Sequence, residues 1–356
     1  MQTNKYKEKG MYWLDEIGQE YGDAVGKKCA NLGEILKAGI AVPPGFAISL
    51  GLYQEFRSKT DTENEIREYT RKYFSEGLTL SPGDIGHISE LSRELRHIVE
   101  SKKLPEQIEK EITSFYRLLC DKCQERDLAV SVRSAGAKSH PGQYETYLNV
   151  KGVEQLLEKV VKVWSSIYNP TSISAMIHQG IPIEESPLLG VCVLKMVDAK
   201  SSGVCFSVEP TTGDDSLILI EGNWGLGESV VAGTVIPDKF IVAKQDLKVL
   251  SKSLGSKEKR VKMTEKGVIQ EEVPLSERST LCLEDGEVVK VAELVKKLEL
   301  YFGTPQDMEW SIEKSLPFPN NVITLQTRPQ VAIPKKKAAT DEVIDLMISR
   351  LRHGQV

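Results

Sequence analysis

Two short segments near residue 320 carry polar side chains in strand-like alternation. The first, QDMEW, contains Asp307 and Glu309, and the second, ITLQTRPQ, contains Gln326 and Arg328. Alternate side chains of a strand point to the same face, so each pair would share one face of its strand. Carboxylate and amide oxygens are hard ligands suited to Mg²⁺ that also contacts nucleotide phosphates. The alternative is a surface ladder of ion pairs, which contributes little to stability.

Two further segments place a cation where a phosphate group could bind. In GKKCANLG, Lys28 follows Gly26 and Lys27 at the start of a predicted helix, and a helix N-terminus favours anions. In SVRSAGAKSHPGQ, a predicted strand delivers Arg133 to a loop of small and hydroxyl residues. Backbone N–H groups of such a loop can approach phosphate oxygens, and arginine can bind them bidentately. Taken alone, the two segments also fit a solvated lysine and a plain surface loop.

The segment GNWGLGE adds a glycine-rich turn at residues 222–228. Its glycines permit a close approach of the backbone, and Glu228 could accept hydrogen bonds from ribose hydroxyls. The segment does not have the GxGxxG pattern of a dinucleotide site, so by itself it is weak evidence. Phosphoryl transfer needs chiefly positioning and charge neutralisation, which one set of residues could supply. That set is Lys28, Arg133, Glu309, Gln326 and Arg328.

The elements that would position these residues are of mixed type. Hydrophobic periodicity predicts helices at 30–38, within 62–125, at 153–169 and at 287–303. Alternating or β-rich runs predict strands at 128–134, 188–197 and 202–210, with the last two paired, and a further antiparallel region over 238–273. The two polar segments are predicted strands joined by a loop that Pro317 and Pro319 mark. This order favours an α+β architecture over a strict βαβ alternation.

Composition narrows the classes of protein that the chain could belong to. Its 356 residues suffice for two modest domains or one two-lobed domain. A net charge of −5 offers no basic field for nucleic acid. No apolar run approaches the ~18 residues of a membrane span. The polar N-terminus and six scattered cysteines favour a cytoplasmic protein with reduced thiols.

Six segments in a fixed order resemble one known family. They are GKKCANLGEILKAGIAVPPGFAIS, SVRSAGA with PGQYETYLNV, LKMVDAKSSGVCFSVEPTTG, WGLGESVVAGTVIPDKFIV, LGSKEKRVKM, and DMEW with LQTRP. Over roughly residues 12–330 the chain resembles the ATP-grasp nucleotide-binding domain of the phosphoenolpyruvate synthase and pyruvate, phosphate dikinase family. The resemblance implies a two-lobed α+β fold with antiparallel sheets and flanking helices. Its parts would be an N-terminal lobe at 12–190, a C-terminal lobe at 191–330, and a linker with a short helix at 331–356.

The resemblance also implies a role for individual residues. The catalytic, phosphate-contacting residues would be Lys28, Arg133 and Arg328. Glu309 and Gln326 would bind Mg²⁺, with Asp307 as an acidic neighbour in the metal site. The remaining ATP-binding positions would be the adenine strand Lys195, Met196 and Val197, the loop residue Gly142, and Glu228.

The activity that the resemblance implies is a phosphotransferase with paired acceptors. The β-phosphoryl group of ATP would pass to a histidine, with release of AMP and phosphate. None of the five histidines stands in the family's phosphoryl-accepting motif, so we expect the acceptor on a separate partner chain; the five are His87, His97, His140, His178 and His353. The final acceptor would be pyruvate, or phenol as in phenylphosphate synthase. Two alternatives remain open: a non-catalytic ATP-sensing module, and an ATP-grasp ligase that would release ADP.

Overall fold

The computed structural model describes residues 9–75, 80–136, 144–265 and 267–330. Within these ranges the strands are β1 (Met11–Trp13), β2 (Gly45–Ile48), β3 (Val130–Gly136), β4 (Thr146–Val150), β5 (Leu189–Lys195), β6 (Ala199–Phe206), β7 (Leu217–Trp224), β8 (Asp238–Ala243), β9 (Val249–Ser253), β10 (Lys259–Thr264), β11 (Gly267–Glu272), β12 (Gln306–Glu313) and β13 (Val322–Pro329). The α-helices are α1 (Gly22–Val25), α2 (Lys27–Lys37), α3 (Leu50–Lys59), α4 (Thr62–Tyr73), α5 (Ile85–Glu100), α6 (Glu106–Cys123), α7 (Gly152–Ser165), α8 (Pro170–Gln179), α9 (Glu228–Val231), α10 (Leu275–Arg278) and α11 (Asp285–Phe302). Gly142, His140 and the predicted linker and helix at 331–356 lie outside the described residues.

The first sheet has five antiparallel strands in the order β1-β2-β5-β3-β4. Alternate residues of β3 and β5 face opposite sides, as the pleat requires. Val132 and Val193 pack against a large apolar core that includes residues of α3 to α8. Ala135, Cys192 and Leu194 face the other side. Arg133 alternates with Val132, so it points away from the helical layer.

The second sheet has six antiparallel strands in the order β13-β12-β6-β7-β8-β9. Its buried face includes Met308, Trp310 and Ile312 of β12, which belong to the same core as residues of α2 and α11. That core also contains the Ala135 side of the first sheet. The two sheets therefore share one apolar core, and α2 lies between them.

The strands β10 and β11 form a separate two-stranded hairpin beside the second sheet. Just before β10 the chain forms a fully buried ion pair, in which Lys257 Nζ lies 2.5 Å from Asp238 Oδ1 and both side chains are 0% exposed. Asp238 also accepts hydrogen bonds from the backbone N–H groups of Gly255 and Cys282. This pair fixes the base of the hairpin to β8.

The α+β architecture with antiparallel sheets and flanking helices is confirmed. The predicted strands at 188–197 and 202–210 both form, but their predicted pairing is wrong: β5 lies in the first sheet and β6 in the second. Both edges of β5 are occupied by β2 and β3, and both edges of β6 by β12 and β7. The chain thus passes from the first sheet to the second between residues 195 and 199. The lobe boundary at residue 190 stays a prediction.

The helical predictions agree with the structure in type and approximate extent. The 62–125 region forms α4, α5 and α6, and the 287–303 segment forms α11. Gly303 ends α11 in the left-handed conformation with φ 69°, as its place after the last apolar residue suggested. Among the helices of the described residues, none combines the length and apolarity needed to cross a membrane.

Candidate functional site

The four polar residues of β12 and β13 lie on one face of the second sheet. The register sets Asp307 opposite Arg328 and Glu309 opposite Gln326, and a bulge follows between Glu309 and Trp310. Side chains that lie directly opposite one another share a face, so the predicted common face is confirmed. The nitrogens Nε and Nη2 of Arg328 lie 2.7 and 2.6 Å from Asp307 Oδ2, while Gln326 Nε2 donates to Glu309 Oε1 at 3.3 Å.

Arg133 reaches the Glu309–Gln326 pair from the first sheet. Its Nη2 lies 3.4 Å from Glu309 Oε2 and 3.3 Å from Gln326 Oε1. Both contacts are long for charge-assisted hydrogen bonds, which are usually about 2.7–2.9 Å. The Nε of Arg133 is buried and finds no hydrogen-bond partner within the described residues. A buried donor without a partner is costly, so this side of the guanidinium is suited to an incoming acceptor.

Lys28 enters the same cluster because of how α2 begins. Gly26 caps the helix with φ 82°, and a Cβ at this position would lie 2.2 Å from the carbonyl oxygen of Ala135. Only glycine permits both this conformation and this approach. The first turn of α2 is therefore held against β3, with Lys28 half-buried and its neighbour Lys27 exposed.

The electrostatic surroundings of Lys28 favour an anion. Burial lowers the pKa of Lys28, the positive charge of Arg133 lowers it further, and Glu309 opposes both effects. Within the described residues no hydrogen bond or ion pair involves the Lys28 ammonium group. Two cations thus lie close together and share one nearby carboxylate, that of Glu309, in a place partly withdrawn from water. A phosphate group would supply the missing negative charge.

Two carboxyl groups complete the cluster. Burial raises the pKa of Glu228, at the start of α9, and the charge of Arg133 opposes that rise, which places Glu228 within electrostatic reach of Arg133. Burial also raises the pKa of Asp307. The positive charge of Arg328 opposes this rise, and the negative charge of Glu309 adds to it. Carboxylates and cations therefore lie together where the two sheets meet.

The donor set around Glu309 is suited to a divalent cation. Glu309 Oε2 and Gln326 Oε1 converge on a single guanidinium nitrogen, so these hard oxygens already face one positive group. Asp307 is engaged by Arg328 on the neighbouring cross-strand pair. In the part of the chain that the structure describes, no cluster of three or more His, Cys, Asp or Glu residues could hold a metal. The remaining ligands of a Mg²⁺ ion would then be phosphate and water oxygens, as is usual for this ion.

A cavity of about 430 Å³ lies at the C-terminal end of β5, beside Lys195 and Met196. Cys192 pairs with Arg133 in the sheet, and Lys195 lies three residues further along the strand, which corresponds to roughly 10 Å. Because the two positions are an odd number of residues apart, the Lys195 side chain points to the opposite face of β5 from Cys192 and Arg133. Val197 is buried but does not line this cavity.

Sequence reasoning missed several residues of this cavity. Its wall also includes Asp198, Glu313, Asn149, Met263 and Thr264. The last two belong to the hairpin, whose strands were predicted without any role. The alternation of Val261, Met263 and Val268 in a largely exposed hairpin was the available signal, because these side chains form a small apolar cluster with Met196.

Clustered cations facing carboxylates between two antiparallel sheets are suited to the binding of a phosphorylated ligand. A family model described as pyruvate phosphate dikinase, AMP/ATP-binding domain, matches residues 22–346. The chain belongs to this family, and its segment of the family is the nucleotide-binding domain.

Several curated relatives are named as phosphoenolpyruvate synthases or probable phosphoenolpyruvate synthases. A probable phosphoenolpyruvate synthase of Staphylothermus marinus is 32% identical over 97% of this chain and 44% of its own length. The phosphoenolpyruvate synthase of Aeropyrum pernix is 34% identical over 91% of this chain and 43% of its own length. A probable phosphoenolpyruvate synthase of Methanocaldococcus jannaschii is 34% identical over 94% and 28%. The chain thus spans less than half the length of these relatives.

Among solved structures, PH1788 from Pyrococcus horikoshii aligns over 89% of this chain and 97% of its own, with 11% identity and a TM-score of 0.34. A likeness of this size supports no conclusion about fold or function.

Proposed function

We propose that this chain is the Mg·ATP-binding part of a phosphoenolpyruvate synthase-like phosphotransferase with a two-lobed ATP-grasp architecture. The observation that carries the proposal is the pair of cations Lys28 and Arg133, which face Glu309 and Gln326 across the two sheets. Membership of an AMP/ATP-binding domain family supports the choice of nucleotide. The names of the relatives support the class of reaction.

Each residue of the cluster has a distinct task in this proposal. Lys28 and the free edge of Arg133 bind phosphate oxygens and neutralise the charge that grows on them during transfer. Arg328, whose side chain is 43% exposed, contacts the transferred group while Asp307 orients its guanidinium. Glu309 and Gln326 hold Mg²⁺, which supplies further charge neutralisation when it is bound.

The nucleoside part of ATP would lie toward the far end of β5. Lys195 and Met196 border the cavity there, and we place the adenine against them, with Val197 behind them in the buried strand connection. Glu228 accepts hydrogen bonds from the ribose hydroxyls.

The acceptor in this proposal is a histidine on a separate partner chain. The histidines in the described ranges, His87, His97 and His178, lie on α5 and α8. These helices pack on the side of the first sheet that faces away from Arg133. In the reaction the histidine nitrogen keeps the β-phosphoryl group, AMP leaves, and water completes the released phosphate. Transfer to pyruvate or phenol would follow, and we assign the whole process to the cytoplasm, where ATP is available.

A pair of neighbouring lysines provides a matched test of the phosphate site. Lys28→Met removes the half-buried cation, whereas Lys27→Met removes an exposed cation of the same charge one residue away. A charged hydrogen bond contributes about 1.5–3 kcal/mol, so we expect Lys28→Met to weaken Mg·ATP binding roughly 10- to 150-fold in titration calorimetry. Lys27→Met should change the dissociation constant by less than about twofold. Equal effects of the two variants would contradict the site assignment.

The product nucleotide separates the proposed reaction from its alternatives. With a partner chain that supplies the histidine, we expect AMP, phosphate and phosphohistidine, detected by chromatography of labelled ATP. ADP as the product would favour an ATP-grasp ligase. Tight Mg·ATP binding without any turnover or phosphorylated partner would favour a non-catalytic ATP-sensing module.

A further inference from the structure

Asn149 joins the first sheet to the tip of the β10–β11 hairpin. Its side-chain Nδ2 donates to the backbone carbonyl of Thr264 at 2.7 Å and to that of Gly267 at 2.8 Å. Carbonyl oxygens only accept, so the nitrogen of the amide must face them, and both of its N–H groups are used. Asn149 is 7% exposed and adopts φ 55°, a left-handed conformation that asparagine tolerates better than most residues.

The hairpin depends on such contacts for its position. Its two strands pair with each other and join no larger sheet, apart from isolated bridges of Val261 with Gly225 and Leu226, and an isolated two-stranded hairpin is marginally stable at best. At its base, Asn223 Nδ2 donates to the Lys259 carbonyl at 2.8 Å, and Leu226 N–H donates to the Val261 carbonyl at 2.8 Å. These contacts come from the second sheet, whereas Asn149 holds the tip from the first sheet. The hairpin therefore spans the two sheets and has an anchor on each.

The position of the hairpin determines the shape of the 430 Å³ cavity. Met263 and Thr264 line the cavity from the hairpin, and Lys195 and Met196 line it from β5. Asn149 lines it as well, at the point where hairpin and sheet meet. If the tip moves away from Asn149, one wall of the cavity moves with it.

We propose that Asn149 is a positioning residue for this cavity: its amide holds the hairpin so that Met263 and Thr264 enclose the nucleoside end of the ligand. The assignment of a nucleoside as the ligand rests on the proposed function, whereas the anchoring of the hairpin does not. Asn149 takes no part in the phosphate cluster, so its effect should be confined to the base end of the nucleotide.

Two variants separate loss of the anchor from loss of the fold. Asn149→Asp keeps the shape of the side chain but sets a carboxylate against two carbonyl oxygens. Asn149→Gly removes the amide and keeps the left-handed backbone accessible. Asn320→Asp, at an exposed position in the β12–β13 connection, controls for the added charge. All three are made in the full chain.

Two probes read the two ends of the site. AMP reports on the nucleoside end, and tripolyphosphate with Mg²⁺ reports on the phosphate cluster. Two hydrogen bonds are lost, so we expect both Asn149 variants to weaken AMP binding about tenfold or more and to leave tripolyphosphate binding within twofold. Amide hydrogen exchange over residues 259–264 and 267–272 should accelerate at least tenfold without ligand, while exchange in β12 stays unchanged.

Each outcome decides the inference. Unchanged hairpin exchange in both Asn149 variants overturns the anchor, and faster exchange with unchanged AMP affinity overturns its role in the nucleotide site. Equal losses of AMP and tripolyphosphate binding would point to general damage and also overturn the proposal. A wild-type chain that binds tripolyphosphate but not AMP overturns the nucleoside assignment and the proposed function together, while the exchange comparison still tests the anchor.

Discussion

Replacement of Lys257 by methionine tests the energetics of the buried ion pair at the base of the hairpin. The variant keeps the apolar stem of the side chain and removes the ammonium group, which is 0% exposed and 2.5 Å from Asp238. Loss of one partner from a buried pair usually costs about 3–5 kcal/mol. Asp238 retains N–H donors from Gly255 at 2.8 Å and Cys282 at 2.7 Å, so its carboxylate is not left bare.

The retained donors lower the expected cost of Lys257→Met, whereas the loss of the two bonds from the ammonium group to backbone carbonyls, both at 3.2 Å, raises it, so we expect about 3–4 kcal/mol. The measurement is the free energy of unfolding in urea without nucleotide. Adding Asp238→Asn removes the uncompensated charge but turns an amide N–H₂ toward one backbone N–H donor, so it should not restore the full stability.

An exposed ion pair provides the control for Lys257→Met. Lys59 and Glu55 lie 2.7 Å apart on α3 with side chains 44% and 40% exposed, so Lys59→Met should cost no more than about 0.5 kcal/mol. A cost below ~1 kcal/mol for Lys257→Met would refute the reasoning, since it would mean that water reaches Asp238.

The remaining predictions concern the start of α2 and the pH dependence of stability. Gly26→Ala combines a positive φ with a Cβ 2.2 Å from the Ala135 carbonyl, so it should cost more than about 2 kcal/mol in urea unfolding; Gly22→Ala, with open space around it, should be neutral or stabilising. Burial raises the pKa of Glu228 above its ordinary 4.5, so the folded state binds more protons than the unfolded state just above pH 4.5. The free energy of unfolding should therefore fall as pH rises through that window. This slope should flatten in Glu228→Gln, and an unchanged slope would contradict the assignment.

Local patterns in the sequence were sufficient to predict the polar strands. Period-two spacing put Asp307 with Glu309 and Gln326 with Arg328, and antiparallel pairing then brought both pairs to one face. The glycine before two lysines likewise predicted a helix start. Such features depend on a few adjacent residues, which is why they could be read without knowledge of the fold.

Contacts between distant segments could not be predicted in this way. The pairing of β5 and β6 was misjudged because strand adjacency in sequence says nothing about which edges other strands already occupy. The sequence also could not tell which of Lys27 and Lys28 is withdrawn from water, since that depends on the approach of α2 to β3. The role of Asn149 was not predicted for the same reason, because its hydrogen-bond partners Thr264 and Gly267 lie more than a hundred residues away.

The core that joins the two sheets has a consequence for biosynthesis. Asn31 on α2 donates to the carbonyl of Thr327 on β13, 296 residues later, and Ile35 shares its core with Trp310. A ribosome therefore completes almost the whole of this segment before the contacts of α2 with β12 and β13 can form. Contacts of such sequence separation slow folding and prolong the exposure of apolar surface. The phosphate cluster likewise can assemble only after Arg328 has been translated.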